Sequence, residues 1–355
     1  MSIPRNNMLW RIEKCCCALA SLFPKVLSNG LYLWAIYAFC YDLCLQEIGG
    51  IIGLILSVIG FYLAIQGIYL YYRVIKLGAG SPLDFNELHI ESEFNILQDQ
   101  IDQTPPDFLI KNSLMIKSNG KFRYCDKCQV WKPDRCHHCS SCNKCWLKMD
   151  HHCPWFATCI GFKNQKSFVQ FLVNTVIFGW YALLISGFKL YQFFYNENYK
   201  EEYLSFNIVI LAVLGLTIGI AVGLFTAITI YFVSQNLTTI EYYDYTRYRN
   251  NLEIANDSYY QYSKKPSAKD LGNAYNLGSI TKNFQTVLGE TWSEWLLPID
   301  NKSTGEIFYD KGLIYPANPK IKDALVSNSK LQHQLLRELQ HSSYNHSPVD
   351  TDRLV

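Results

Sequence analysis

Between Cys125 and Cys159 the chain reads CDKCQVWKPDRCHHCSSCNKCWLKMDHHCPWFATC, which gathers eight of its thirteen cysteines and four of its eight histidines. Thiolate and imidazole are ligands that zinc prefers, and Cys-x2-Cys spacing lets one turn present two of them. That spacing occurs at Cys125/Cys128, Cys139/Cys142 and Cys142/Cys145, with His138 and His152 nearby. Two tetrahedral sites need eight ligands, and the stretch offers twelve candidates. Near its end, Asp150-His151-His152-Cys153-Pro154-Trp155 sets a carboxylate, two imidazoles and a thiol in succession. The thiolate is the nucleophile of cysteine chemistry, and a neighbouring imidazole oriented by an acid is the usual way to make one. The alternative is that all four groups are ligands, or supports of ligands, at a purely structural metal site. Spacing leaves both readings open and does not assign groups to ions.

The elements around this stretch are those of a membrane protein. Of 355 residues, 49% are hydrophobic, 15% aromatic and 17% charged, where soluble domains carry about 25% charged residues. The net charge of +2 is too small to argue for nucleic acid. No signal-peptide pattern follows the basic amino end. Apolar segments at 26–44, 51–72, 167–194 and 206–233 each approach the roughly 20 residues that cross a bilayer. The connection between the first pair is acidic (Asp42, Glu47), as is that between the second (Glu197, Glu201, Glu202). The segments at 1–25, 73–166 and 234–355 are basic or mixed. The positive-inside rule therefore puts both termini and the central region in the cytosol. Sequons at Asn236, Asn256, Asn301 and Asn345 then lie on the unglycosylated side.

The predicted fold is an all-α polytopic membrane protein. Four transmembrane helices carry a small zinc-stabilised cytosolic domain, at about 123–168, between spans two and three. A cytosolic domain is kept reducing, so its cysteines are not a disulfide framework, and in a region with too few aliphatic residues for a core of its own bound metal would provide much of the folding free energy. Cys15, Cys16 and Cys17 read either as S-acylation sites or as small residues entering a span. The tail carries Leu331, Leu335 and Leu339 on one helical face. Order is expected to about residue 298, and the polar end from 341 is expected to be disordered.

The cysteine-rich stretch resembles that of the DHHC-type protein S-acyltransferases. The likeness is carried by Cys-x2-Cys, Lys132-Pro133-x-Arg135, His138-Cys139, the Asp-His-His-Cys-Pro-Trp core, Cys159-x-Gly161 and Asn164. Outside it, Thr238-Thr239-Ile240-Glu241 resembles the family's Thr-Thr-x-Glu motif, and Asn283-x3-Val287-Leu288-Gly289 its carboxyl-region asparagine motif. Gly78-x-Gly80-Ser81-Pro82-Leu83-Asp84-Phe85 and Phe156-Ala157-x-Cys159 resemble the fungal vacuolar palmitoyltransferase branch. The sequence departs from the family in having Thr158 where asparagine is usual, and Gly80-Ser81-Pro82 where Asp-Pro-Gly is usual.

The resemblance implies two zinc ions with interleaved ligands. Cys125, Cys128, His138 and Cys145 would hold one, and Cys139, Cys142, His152 and Cys159 the other. Cys136, His137, His151 and Cys153 remain. It implies Cys153 as nucleophile, His151 as its base and Asp150 as the group holding that base. The reaction would pass palmitoyl from palmitoyl-CoA to cysteines of membrane-associated proteins through an acyl-enzyme. Trp155 is expected at the mouth of an acyl cavity and Phe178, with Trp180, at its depth. CoA phosphates call for a basic rim, with Lys132 and Arg135 foremost, then Lys148 and Lys163. Thr238 and Thr239 are expected to tie the end of the fourth span to the Asp150 region, and Asn283 to anchor the carboxyl segment. The competing reading is a non-catalytic, membrane-anchored zinc module that recruits partners. A transporter would need charged pairs at mid-membrane, and the four spans show hardly any charged residues.

Overall fold

A computed structural model describes residues 8–91, 103–114, 122–196, 203–244, 246 and 272–323, with side chains from residue 22 onward. The side chains of Cys15 to Cys17, the acids Glu197, Glu201 and Glu202, and the chain beyond 323 lie outside the described residues.

Helix α1 (Met8–Ile36) contains Pro24 and runs on as π-helix through Tyr37–Ile48. The expected first span, 26–44, is thus part of a longer helical run that begins well before it. Gly49 and Gly50, at φ +63° and +59°, reverse the chain in a conformation that glycine alone adopts without strain. Helix α2 (Gly50–Leu77) follows. Helix α3 (Asp107–Asn112) lies between α2 and the cysteine-rich stretch, and α4 (Gln165–Tyr195) and α5 (Phe206–Ser234) follow that stretch. Of the described helices, α2, α4 and α5 are long and apolar enough to cross a membrane; α1 is not among them.

The helices pack through small and polar residues, as expected where lipid offers no hydrophobic drive between them. A Cβ added at Gly215 of α5 would sit 2.9 Å from the Gly179 carbonyl of α4, so these backbones nearly touch. The Asn174 amide of α4 donates to the Leu63 carbonyl of α2 at 2.9 Å, and the hydroxyls of Tyr32 in α1 and Thr175 in α4 lie 3.0 Å apart. Ile51, Val58, Leu184 and Leu224 point outward and are exposed, as lipid-facing side chains must be.

The cysteine-rich domain departs from the all-α expectation. It consists of three antiparallel hairpins: β1 (Tyr124–Cys125) with β2 (Val130–Trp131), β3 (His137–Cys139) with β4 (Lys144–Trp146), and β5 (His151–Cys153) with β6 (Thr158–Ile160). Strands of two or three residues leave no alternation of apolar and polar residues to read.

The carboxyl region supplies α6 (Ile280–Leu288), α7 (Trp292–Leu296) and α8 (Ile307–Asp310) and is described to residue 323, past the expected limit near 298. The Asn283 amide donates to the Ser234 carbonyl at 2.8 Å, and its oxygen accepts from the Leu277 amide at 2.9 Å, so α6 is fastened to the end of α5. Gln170 of α4 donates to the carbonyls of Trp295 and Leu297, docking α7 at the same end of the bundle.

Candidate active site and metal centres

Adjacent residues on a strand point to opposite faces, and residues directly opposite on an antiparallel pair share one. In the second hairpin His138 stands opposite Cys145, and in the third His152 stands opposite Cys159. Each His/Cys pair closes on the Cys-x2-Cys turn of the preceding hairpin. Cys125 and Cys128 meet His138 and Cys145, while Cys139 and Cys142 meet His152 and Cys159; in each set the ligand atoms lie within 4.8 Å of one another. The residue after the second cysteine of each turn, Gln129 or Asn143, is left-handed at φ +52° and +49°.

Both sets fit zinc. With Zn–S near about 2.3 Å and Zn–N near about 2.0 Å, a regular tetrahedron puts sulfur and nitrogen ligands roughly 3.5 Å apart. His138 Nδ1 lies 3.5, 3.3 and 3.7 Å from the sulfurs of Cys125, Cys128 and Cys145. His152 Nδ1 lies 3.6, 3.3 and 3.7 Å from those of Cys139, Cys142 and Cys159. Burial and the neighbouring thiols push the Cys128 thiol up to about 12.

His151 and Cys153 are two apart on β5 and therefore share the face opposite His152. Asp150 Oδ2 lies 2.6 Å from His151 Nδ1, which leaves Nε2 for Cys153. Burial alone would lower the imidazole, but hydrogen bonds to Asp150 and Cys153, with their charges, raise it to about 9. Burial would likewise raise the Asp150 carboxyl, yet His151 and two donors from Thr239 bring it below its ordinary range. Those donors are the Thr239 amide at 2.8 Å and its hydroxyl at 2.9 Å. Cys153 is 7% exposed, in a cluster with Tyr71 and Val74 of α2 and Phe168 and Leu172 of α4. The His151 ring meets Phe168 and Phe225 edge-on at 5.5 and 6.4 Å. Beside Asp150 and Thr239, a cavity of about 440 Å³ opens between α4 and α5, lined by Phe168, Phe225, Phe232 and Tyr242.

The basic rim needs correction. Arg135 is 1% exposed, and four of its five donors are taken by Glu241 (2.7 and 2.8 Å) and by the side-chain and backbone oxygens of Asn236 (3.0 and 3.1 Å). Tyr275 and Tyr315 cover its guanidinium at 4.5 and 5.4 Å. No face is left for a CoA phosphate. Lys148 is 4% exposed and, pushed down to about 7 by burial and by Arg135, is also no rim group. Lys132 is half-buried, and the exposed Lys163 ammonium stands 3.8 Å from Asp84. Trp155 is 56% exposed on the turn after Cys153. Phe178 is buried among Tyr32 and Phe39, with ring centroids 6.4 and 6.2 Å away, while Trp180 faces outward. Cys136 is fully buried against Cys145. The cage around Arg135 went unseen because its members lie about a hundred residues or more away along the chain; the one local sign was an acid inside the Thr-Thr-x-Glu motif.

A sequence profile described as DHHC palmitoyltransferase matches residues 118–246. Palmitoyltransferase PFA3 of Saccharomyces cerevisiae is 40% identical over 325 residues, covering 91% of this chain and 93% of that protein. Its namesake in Kluyveromyces lactis is 40% identical over 319 residues, 89% and 94% of the two chains. The protein of that name in Debaryomyces hansenii is 36% identical over 367 residues, 92% and 90%.

Proposed function

This chain belongs to the DHHC palmitoyltransferase family and is a protein S-palmitoyltransferase, and we propose that it works through an acyl-enzyme on Cys153. The observation that carries the proposal is the shared face of His151 and Cys153 on β5, with Asp150 behind the imidazole. His151 takes the Cys153 proton, and the thiolate sulfur attacks the thioester carbonyl of palmitoyl-CoA. The carbon–sulfur bond to CoA breaks, and the CoA thiolate leaves with the proton from His151. An acceptor cysteine then gives its proton to His151 and attacks the acyl-enzyme, and Cys153 departs as thiolate to be reprotonated. One thioester replaces another at each step, so direction follows the supply of palmitoyl-CoA.

The two Cys3His sets would hold zinc, whose contribution is to fix the hairpins. With Arg135 withdrawn, Lys132 and Lys163 are the remaining cations of the proposed CoA rim, and Trp155, exposed on the turn after Cys153, is the proposed mouth of the acyl site. Phe178, packed beside Tyr32 and Phe39 deeper in the bundle and away from the cavity at Asp150, is the proposed limit on acyl-chain length. A fourth crossing is supported by the pairing of α1 with α2: Tyr72 bonds to Asn29 at 3.1 Å, and Ile48 adjoins Gly50 at the other end. The helical run from Asn29 to Ile48 is close to the roughly 20 residues that a bilayer crossing takes. Both termini then lie in the cytosol with the zinc domain. The membrane is the vacuolar one, on the likeness to that branch, and the acceptors are membrane-associated proteins.

The test is incubation of purified protein with clickable palmitoyl-CoA. Hydroxylamine-labile label is expected on the wild type and absent from Cys153→Ala; equal label on both overturns the assignment.

A further inference from the structure

Three consecutive residues at the cytosolic end of α2 grip three different neighbours. Tyr72 donates to Asn29 Oδ1 in α1, and Arg73 donates to Ser167 Oγ in α4 at 3.1 Å while pairing with Asp300 at 2.6 Å. Tyr71 donates its hydroxyl to the Trp155 carbonyl at 2.8 Å, inside the turn that follows Cys153. Beyond the Cys153/Thr158 strand pair that brackets it, that turn is closed by Phe156 N–H to the Cys153 carbonyl at 3.3 Å and Ala157 N–H to the Pro154 carbonyl at 3.1 Å. Ala157 sits at φ +50°, a conformation that alanine adopts only when its surroundings impose it. The Trp155 ring is exposed and holds nothing down. What restrains the turn from outside is Tyr71: besides its hydroxyl bond, its ring stacks on Phe156 at 4.9 Å and 30°. Phe156 is wedged in turn against Phe168 and Phe171 at 5.9 and 5.2 Å. Tyr71 is 2% exposed and packs in the same cluster as Cys153.

We propose that Tyr71 is a positioning residue for acyl transfer: through the Trp155 carbonyl it fixes the turn so that the Cys153 sulfur stays aligned with His151. The proposal rests on Cys153 being the nucleophile. Reacting atoms must be held near about 3–3.5 Å, and displacement by about 1 Å costs on the order of a hundredfold in rate. An anchor on a membrane-crossing helix also fixes the depth at which the thiol meets the thioester.

Tyr71→Phe keeps the ring stacked on Phe156 and removes the hydroxyl, with its bond to the Trp155 carbonyl and its contact with Ser28. With the purified full chain and palmitoyl-CoA, single-turnover acylation at saturation is expected to slow about tenfold, an intermediate loss on that scale. The half-saturating palmitoyl-CoA concentration should stay within about twofold of wild type, and bound zinc should be unchanged. Tyr71→Phe acylating at the wild-type rate, or losing rate only in proportion to lost zinc, overturns the proposal. Cys153→Ala measured alongside separates the two questions, since label persisting there removes the nucleophile assignment whatever Tyr71→Phe does.

Discussion

Glu241 and Asp150 are buried carboxylates served by one turn after α5, and they hold different cations. Glu241 accepts from the Thr238 amide at 2.8 Å and grips Arg135; Asp150 accepts from Thr239 and orients His151. Breaking a buried pair by removing one partner leaves an uncompensated charge, so Glu241→Gln is expected to cost about 3–5 kcal/mol, read from thermal unfolding in detergent. The double change Arg135→Met with Glu241→Leu should recover most of that loss; no recovery would show that the pair does more than pack. Burial would raise the Glu241 carboxyl, but Arg135 outweighs it and the shift is downward. A lowered folded-state value gives stability that is present above the ordinary glutamate range and lost as pH falls through it. Wild type should therefore weaken below about pH 4, with the Glu241 part of that loss missing in Glu241→Gln.

At the scale of elements, the hairpins are chained: each Cys-x2-Cys turn is held by the His/Cys pair of the next hairpin. The chain makes the two sites unequal, because only the second shares its hairpin with His151 and Cys153. Cys128→Ser is expected to lower zinc from two ions to about one and leave partial acylation. His152→Ala should abolish acylation with its zinc. Metal analysis beside labelling checks this, and equal activity in the two variants would sink it. Little of this element was legible from spacing. The surplus of Cys and His was plain, but their division between ions came from resemblance, since two-residue strands show no period from which to infer facing. Three of the four expected apolar spans, in contrast, were readable, because each runs close to the length a bilayer demands. The π-helical extension of α1 and the inward turn of Arg135 were not, as both depend on packing against residues far along the chain.

For the whole molecule, the ends of α2, α4 and α5 that flank the zinc domain are bound to the carboxyl region by Arg73, Gln170 and Asn283. If α1 crosses as α2 does, both termini share the cytosolic side. In sealed microsomes with their cytosolic face outward, protease should remove tags at both ends; a protected amino-terminal tag would mean three crossings. The chained hairpins also set an order of assembly on the ribosome. Cys125 and Cys128 can be closed on metal once Cys145 has emerged, but the second site waits for Cys159, and α4 begins at Gln165, six residues later. The hairpin that carries His151 and Cys153 is therefore the last to be locked, at nearly the moment the next span reaches the insertion machinery. A truncated or stalled product that stops short of Cys159 carries Cys153 and His151 without the frame that sets them side by side.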